Sequence, residues 1–483
     1  MGTKKFSVKY CVLLPLVLLI TIFLLAVPSS FFGIEGLTVL QQRTIALFVF
    51  AALMWIFEII PSWTTSVLVI VMALLMLSNK GLGFLMVDES GAKLEGIMNY
   101  TKIMSAFADP VVMLFLGGFV LAIVATRCGL DAKLAKAFMK PFGTRSEIVM
   151  LGFLSITALF SMFMSNTATA AMMLAIIAPV LRTLPDDGKG KIGLTLAVPI
   201  GANIGGIGTP IGTPPNAIAL KYLNDPEGLN LELGFGEWMM YTVPFVLVLI
   251  FIAWIVLLWL FPFKQKNIHI EIPDVKIDKK TFNIVSITFI VTVLLWVLDS
   301  LTGLNSNIVA LIPVGVFCVT GIFTKDQLKE INWDVLWLVA GGFALGVGMN
   351  DTGLAKHIIS DIPFGTWPPL LMMVGSGVLC YVMSTFMSNT ATAALLIPIL
   401  SVIAKSAEST LAPYGGESTL LLCIAISASL AMALPISTPP NALAHAQGTV
   451  SQDNMAKTGV ILGVIGLAIA YLVFIYLGSV GLF

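Results

Sequence analysis

The phrase Met-Ser-Asn-Thr-Ala-Thr-Ala occurs twice in this chain, at 164–170 and 387–393, each time inside a long apolar stretch. A Ser-Asn-Thr run in such surroundings is costly unless its hydroxyls, amide and backbone find partners in protein, water or a ligand. Two identical runs imply one site built with internal symmetry. Composition fixes the solvent. Hydrophobic residues make up 58% of the 483 and charged residues 11%, where a soluble domain carries about 25% charged residues. Mean hydropathy is +0.99. The chain reads as an all-α polytopic membrane protein whose partner is the lipid bilayer. Net charge is zero, and no basic patch interleaved with aromatics points to nucleic acid. The five cysteines are scattered through apolar segments without metal-like spacing and read as packing residues.

Eleven apolar segments are expected to cross the bilayer: 11–28, 44–60, 63–77, 111–128, 192–220, 238–261, 282–298, 308–323, 335–349, 420–448 and 459–478. The first is long enough for a spanning helix rather than the core of a signal peptide. The fifth and tenth are interrupted. Two further apolar pairs, 148–181 and 369–404, are each the length of two short helices meeting at a Ser-Asn-Thr tip, which predicts re-entrant hairpins. With the N-terminus cytoplasmic, nineteen Lys and Arg fall inside and seven outside, accounting for all 26. That bias is the one expected, and it leaves the C-terminus outside. Nothing resembling a long soluble extension is present, which suits a bacterial inner (plasma) membrane.

Internal repetition organises the chain. Gly117-Gly118-Phe119 matches Gly341-Gly342-Phe343, Gly129-Leu130 matches Gly353-Leu354, Ser161 matches Ser384, and Gly212-Thr-Pro-Pro-Asn216 matches Ser437-Thr-Pro-Pro-Asn441. Five crossings separate the two tips, an odd number, so the hairpins enter from opposite faces and the repeat is inverted. The expected division is 1–110 as scaffold, 111–281 as the first repeat unit, 282–334 as further scaffold and 335–483 as the second unit. Within the interrupted spans the paired prolines break the helix in mid-membrane. A broken helix exposes carbonyls at one stump and N–H groups at the other, suited to cations and anions respectively. Two tips and two breaks would thus form one midplane cavity. Neither motif carries Arg, Lys, Asp or Glu, so an anion bound there needs cations or helix dipoles to offset its charge. Duplicated donors suggest two carboxylates on one molecule, although a neutral polar solute would also satisfy them.

The paired Ser-Asn-Thr motifs, the two Pro-Pro-Asn breaks and the span pattern resemble the divalent anion/sodium symporter (DASS) family of di- and tricarboxylate transporters, over nearly the whole chain. The resemblance implies a homodimer of protomers with a scaffold and a mobile transport domain, working by an elevator movement. It also implies uptake of a C4 dicarboxylate (succinate, malate or fumarate) coupled to sodium ions. Ser165, Asn166, Thr167, Ser388, Asn389 and Thr390 correspond to the carboxylate-binding tips, and Thr213, Pro214, Thr438 and Pro439 to the helix-break walls. One sodium would lie near Ser161, Ser165, Asn166 and Gly212, and its partner near Ser384, Ser388, Asn389 and Ser437. Family members often carry Thr in place of Ser384 and a small Ala or Gly in place of Ser437. A sodium-independent dicarboxylate exchanger of the same fold, or a citrate- or sulfate-selective symporter, is the alternative. An enzyme is disfavoured because no Ser/His/Asp, Cys/His or metal-ligand cluster lies at membrane depth.

Other signals have plainer readings. Gly206-Ile-Gly208-Thr-Pro-Ile-Gly212 follows no strand and contains a proline, which argues against a phosphate-binding loop. Glu58 and Asp299 lie near helix ends, where solvation or a structural hydrogen bond is expected. His445 is expected to be a hydrogen-bonded helix histidine, with a proton-sensitive or cation-replacing role as the alternative.

Overall fold

The computed structural model describes residues 9–88, 91–185, 188–226, 229–268, 278–361 and 366–482; Lys4, Lys5 and Lys276, counted above as inside charges, lie outside these residues. Three helices come first, α1 (Leu14–Ala26), α2 (Val39–Phe57) and α3 (Ser62–Leu77). The first repeat comprises α4 (Pro110–Arg127), the short amphipathic α5 (Leu130–Met139), a hairpin of α6 (Ser146–Phe163) and α7 (Asn166–Thr183), an interrupted span of α8 (Lys189–Gly206) and α9 (Pro214–Leu223), and α10 (Phe235–Leu260). Next come α11 (Lys279–Val297) and α12 (Ser306–Val319). The second repeat mirrors the first, with α13 (Trp333–Asp351), α14 (Leu354–Asp361), a hairpin of α15 (Leu371–Phe386) and α16 (Asn389–Ser406), an interrupted span of α17 (Gly416–Leu430) and α18 (Pro439–Ala446), and α19 (Gln452–Ser479).

Every crossing and both hairpins expected from the sequence have a helical counterpart, with ends displaced by a few residues. Among the described residues, nine helices are long and apolar enough to cross a membrane by themselves, or ten with one bent pair. That number differs from eleven for a physical reason: length and apolarity admit three hairpin arms, α6, α7 and α16, that stop at a polar tip, and they pass over spans that are short or broken.

Local chemistry sets the ends. Thr38 and Gln41 close a capping box at the start of α2, and Asp109 accepts from the Val111 N–H at 2.9 Å, ahead of Pro110 in the first position of α4. At the end of α4 and of α13 the matched glycines Gly129 and Gly353 take φ of +73° and +74°, a left-handed conformation that favours glycine. Each turns a spanning helix into an amphipathic arm that leads to a hairpin. Burial grades the helices by role. Only 22% of the apolar window of α11 is buried, against 72% for α16, so α11 lies on the outside of the bundle while the second arm of the second hairpin is packed inside it.

Ion pairs fasten α4 and α13 at both ends: Arg127 pairs with Glu330, and Lys102 with Asp351 at 3.0 Å. Lys221, at the end of α9, pairs with Asp109 at 2.6 Å and lies 3.7 Å from the centre of the Phe343 ring. Of the two acids weighed above, Asp299 has a structural role and Glu58 is solvated. Asp299 accepts backbone N–H bonds from Phe235, Gly236 and Ser300, which caps the start of α10. Glu58 is exposed at the end of α2.

Candidate functional site

Four helices begin at the same place. Ser165 caps α7 by accepting from the Ala168 N–H at 3.1 Å, and Ser388 caps α16 by accepting from Ala391 at 3.1 Å. Thr213 and Thr438 hold the corresponding positions before α9 and α18, where the prolines cost nothing because the first turn has no N–H partner to lose. All four caps line one cavity of about 380 Å³. A helix N-terminus carries about half a positive charge. The cavity is therefore electropositive although no Lys or Arg lines it, and Asp334 is its one acidic lining residue among those described.

The cavity brings together Ser165, Asn166, Thr167, Ser388, Asn389, Thr390, Thr213, Pro214, Thr438 and Pro439, along with Gly212 and Ser437. Ser161 and Ser384 lie behind the tips and are fully buried. The pseudo-symmetry is imperfect: Thr167 is exposed to the cavity, whereas Thr390 is 9% exposed. Opposite the tips the wall is apolar, formed by Phe115 and Phe119 of α4 and by Val335 and Leu338 of α13. Ser62, Trp63 and Asn332 place the mouth on the face where α3 and α13 begin.

Behind each tip lies a nest of oxygens. The Ser161 hydroxyl faces both the Asn166 Oδ1 and the Ala202 carbonyl, the latter at 2.8 Å. The Ser384 hydroxyl faces the Asn389 Oδ1 at 2.7 Å and the Ala428 carbonyl at 2.9 Å. In each nest three oxygens share one hydroxyl proton. Such a surplus of acceptors, composed of hydroxyl, amide and backbone carbonyl, fits a hard monovalent cation. Gly206 makes the first nest possible, since a Cβ there would sit 2.7 Å from the Asn166 Oδ1. Among the described residues no group of three His, Cys, Asp or Glu could hold a metal ion.

The structure adds roles that the sequence did not assign. The Asn216 amide donates to the carbonyls of Gly206, Ile207 and Thr209 at 3.0, 3.1 and 2.8 Å. Asn441 does the same for Met432 and Leu434 at 2.7 and 3.0 Å. The Asn of each Thr-Pro-Pro-Asn motif is thus a staple across its own helix break. Trp238 and Thr242 of α10 bond the carbonyls of Ile207 and Gly208 at 3.1 Å each. Asn203, which lines the cavity and is 2% exposed, donates to the Asn441 Oδ1 at 3.1 Å and joins the two breaks. A hydroxyl also changes place between the halves. Thr209 donates to the Met162 carbonyl and accepts from the Gly212 N–H, whereas Ser437 donates to the Thr385 carbonyl and accepts from the Leu434 N–H. The Ser437 proton is accordingly committed to fastening the break to the hairpin.

His445 is not among the lining residues. Its Nδ1 lies 2.9 Å from the Val450 carbonyl, which closes the turn after α18. A larger cavity of about 860 Å³ lies at the other end of the spans, between Asp109, Lys221 and Asp299, and is lined by none of the Ser-Asn-Thr or Thr-Pro-Pro-Asn residues.

Comparison with known proteins gives this geometry a family. A family model described as citrate transporter (CitMHS) matches residues 52–415. An uncharacterised transporter of Haemophilus influenzae is 32% identical over 442 residues, covering 87% of this chain and 88% of the relative. An uncharacterised transporter of Schizosaccharomyces pombe is 30% identical over 454 residues, and the match covers 91% of this chain but only 50% of that longer protein. The sodium-dependent dicarboxylate transporter SdcS of Staphylococcus aureus is 29% identical over 472 residues, with 89% and 85% covered. Among solved structures, Neisseria gonorrhoeae MtrF, described with a class of antimetabolite efflux pumps, superposes with a TM-score of 0.52 at 12% identity, covering 86% of this chain and 93% of MtrF, a likeness of fold alone. The chain belongs to the citrate transporter (CitMHS) family of DASS-type secondary transporters.

Proposed function

We propose that this transporter imports C4 dicarboxylates such as succinate, malate and fumarate together with sodium ions. The observation that carries the reading is the convergence of four helix N-termini on one cavity free of Lys and Arg, with an oxygen nest behind each hairpin tip. A dianion is too costly to desolvate against neutral donors alone. Helix ends contribute about 0.3–2 kcal/mol each, and sodium in the two nests supplies the remaining charge. Ser165, Asn166 and Thr167 take one carboxylate, Ser388, Asn389 and Thr390 the other, and Thr213-Pro214 and Thr438-Pro439 close the sides. Asn166 and Asn389 serve both ligands, since each lines the cavity and presents its Oδ1 to a nest. The hairpins and broken helices move as one body along the apolar wall of α4 and α13 in an elevator stroke, within a homodimer. With the Lys and Arg bias setting the N-terminus inside, the mouth at Ser62 and Asn332 faces the cytoplasm.

Titration calorimetry of succinate into the purified protein tests this directly. Binding is expected in sodium chloride and at least about tenfold weaker, ~1.4 kcal/mol, in potassium chloride. Asn166→Ala and Asn389→Ala are each expected to weaken succinate and to raise the sodium concentration needed. Equal affinity in the two salts would remove sodium from the site.

A further inference from the structure

A third cavity, of about 250 Å³, lies behind the tip of the first hairpin. Its walls are apolar side chains, among them Phe160, Phe163 and Met164 of the hairpin and Ile290 and Val293 of α11, with one exception: Asp131 of α5. Asp131 is 3% exposed. Its Oδ1 accepts from the Ala132 N–H at 2.7 Å, while its buried Oδ2 has no hydrogen-bond partner among the described residues.

The charge of a carboxylate in an apolar cavity is neutralised in one of two ways, by a cation or by a proton. A metal ion needs several further oxygens, and the cavity wall offers none. Among the described residues, the neighbours from each packed element supply no counter-charge. From α4 come the Thr126 hydroxyl and the half-buried Cys128, while Arg127 is spent on Glu330. On α5 itself Lys133 lies over the Phe282 ring, 4.0 Å from its centre. The hairpin and α11 present Phe, Leu, Met, Ile and Val. Burial pushes the Asp131 carboxyl up, against the smaller opposing pulls of Thr126 and the Ala132 amide. Asp131 lies outside the spanning helices, on the arm that joins α4 to the hairpin.

We infer that Asp131 is a proton-binding site whose occupancy follows the position of the first hairpin. The carboxyl is protonated while Phe160, Phe163 and Met164 close over it. It is ionised when the hairpin moves along α11 and admits water. The sign follows from linkage. The closed arrangement raises the proton affinity, so the closed population grows as pH falls and shrinks as pH rises through the raised value. The inference rests on the hairpin movement proposed above and is independent of the substrate.

Electron paramagnetic resonance distances test it, between spin labels at Arg182→Cys on the hairpin and Ile287→Cys on α11, both exposed positions. The full-length protein is used in proteoliposomes, with Cys11, Cys128 and Cys318 replaced by alanine and the buried Cys380 and Cys423 kept. From pH 8 to pH 5 the closed population is expected to rise, by at most about tenfold per pH unit, the limit for one proton. Asp131→Asn, neutral and isosteric, is expected to hold the closed distribution at both pH values, and Asp131→Ala to lose the pH response as well. Distances that respond to sodium and succinate but not to pH would overturn the proton site while leaving the transport reading intact. A wild-type pH response retained in Asp131→Asn would overturn it equally.

Discussion

Asn216 and Asn441 each pay for a helix break by donating to backbone carbonyls on its N-terminal side. A buried carbonyl left without a donor costs about 1–3 kcal/mol. Asn216→Leu takes the side-chain donor from the Gly206 carbonyl and Asn441→Leu from the Met432 carbonyl, while Ile207, Thr209 and Leu434 keep the N–H groups of Trp238, Gly212 and Ser437, so both are expected to destabilise the protein by similar amounts, which thermal unfolding in detergent would check. The relocated hydroxyl gives a second, asymmetric expectation. A Cβ at Gly212 would sit 2.4 Å from the Gly206 carbonyl oxygen, so Gly212→Ser should lower stability and binding sharply. Ser437→Gly, which removes two hydrogen bonds worth about 1 kcal/mol each, should be milder. Equal effects would contradict the account of the exchange. At this scale the sequence was a partial guide. The repeated Ser, Asn and Thr residues stood out because they match, and they do line one cavity. Thr209 was missed because its partner across the repeat, Ser437, lies at the other end of the turn, and Asn203 because it has no matching amide in the second half.

The interrupted spans are the elements that make the cavity, since α9 and α18 can point their N-termini inward only because α8 and α17 stop short. Replacing Pro439 and Pro440 together by alanine removes the pre-set first turn of α18 and restores the tendency to continue the helix. Succinate affinity is expected to fall by at least about tenfold with folded yield retained, as read by calorimetry and size-exclusion profile. Unchanged affinity would separate the break from binding. These elements were legible in the sequence because proline and a doubled motif act locally. Their boundaries were less so: α2 starts at Val39 rather than 44 because Thr38 and Gln41 close a capping box that the apolar run does not reveal. The role of Gly129 as the joint of an arm became visible only from its left-handed backbone.

For the whole molecule, charge movement constrains the cycle. A dianion entering a cell at −100 mV meets about 4.6 kcal/mol of opposition, at about 2.3 kcal/mol per charge. Two sodium ions cancel this cost, and the two nests provide for two. A third ion would make uptake electrogenic. The family resemblance favours more than two, so succinate is expected to evoke an inward positive current on supported membranes; electroneutral uptake would limit the stoichiometry to the two nests. Odd spacing between the tips made the inverted repeat legible at this scale, since parity of crossings needs no detail of packing. Which face the cavity opens on was not legible, because it depends on how the tips lie against Phe115 and Leu338.

The most direct test of the central claim is uptake of labelled succinate into proteoliposomes, under an inward sodium gradient or an equal potassium gradient, with either buffer or unlabelled succinate inside. The account predicts uptake that requires sodium and needs no internal substrate. Uptake that requires internal dicarboxylate and ignores sodium would contradict it and establish an exchanger of the same fold.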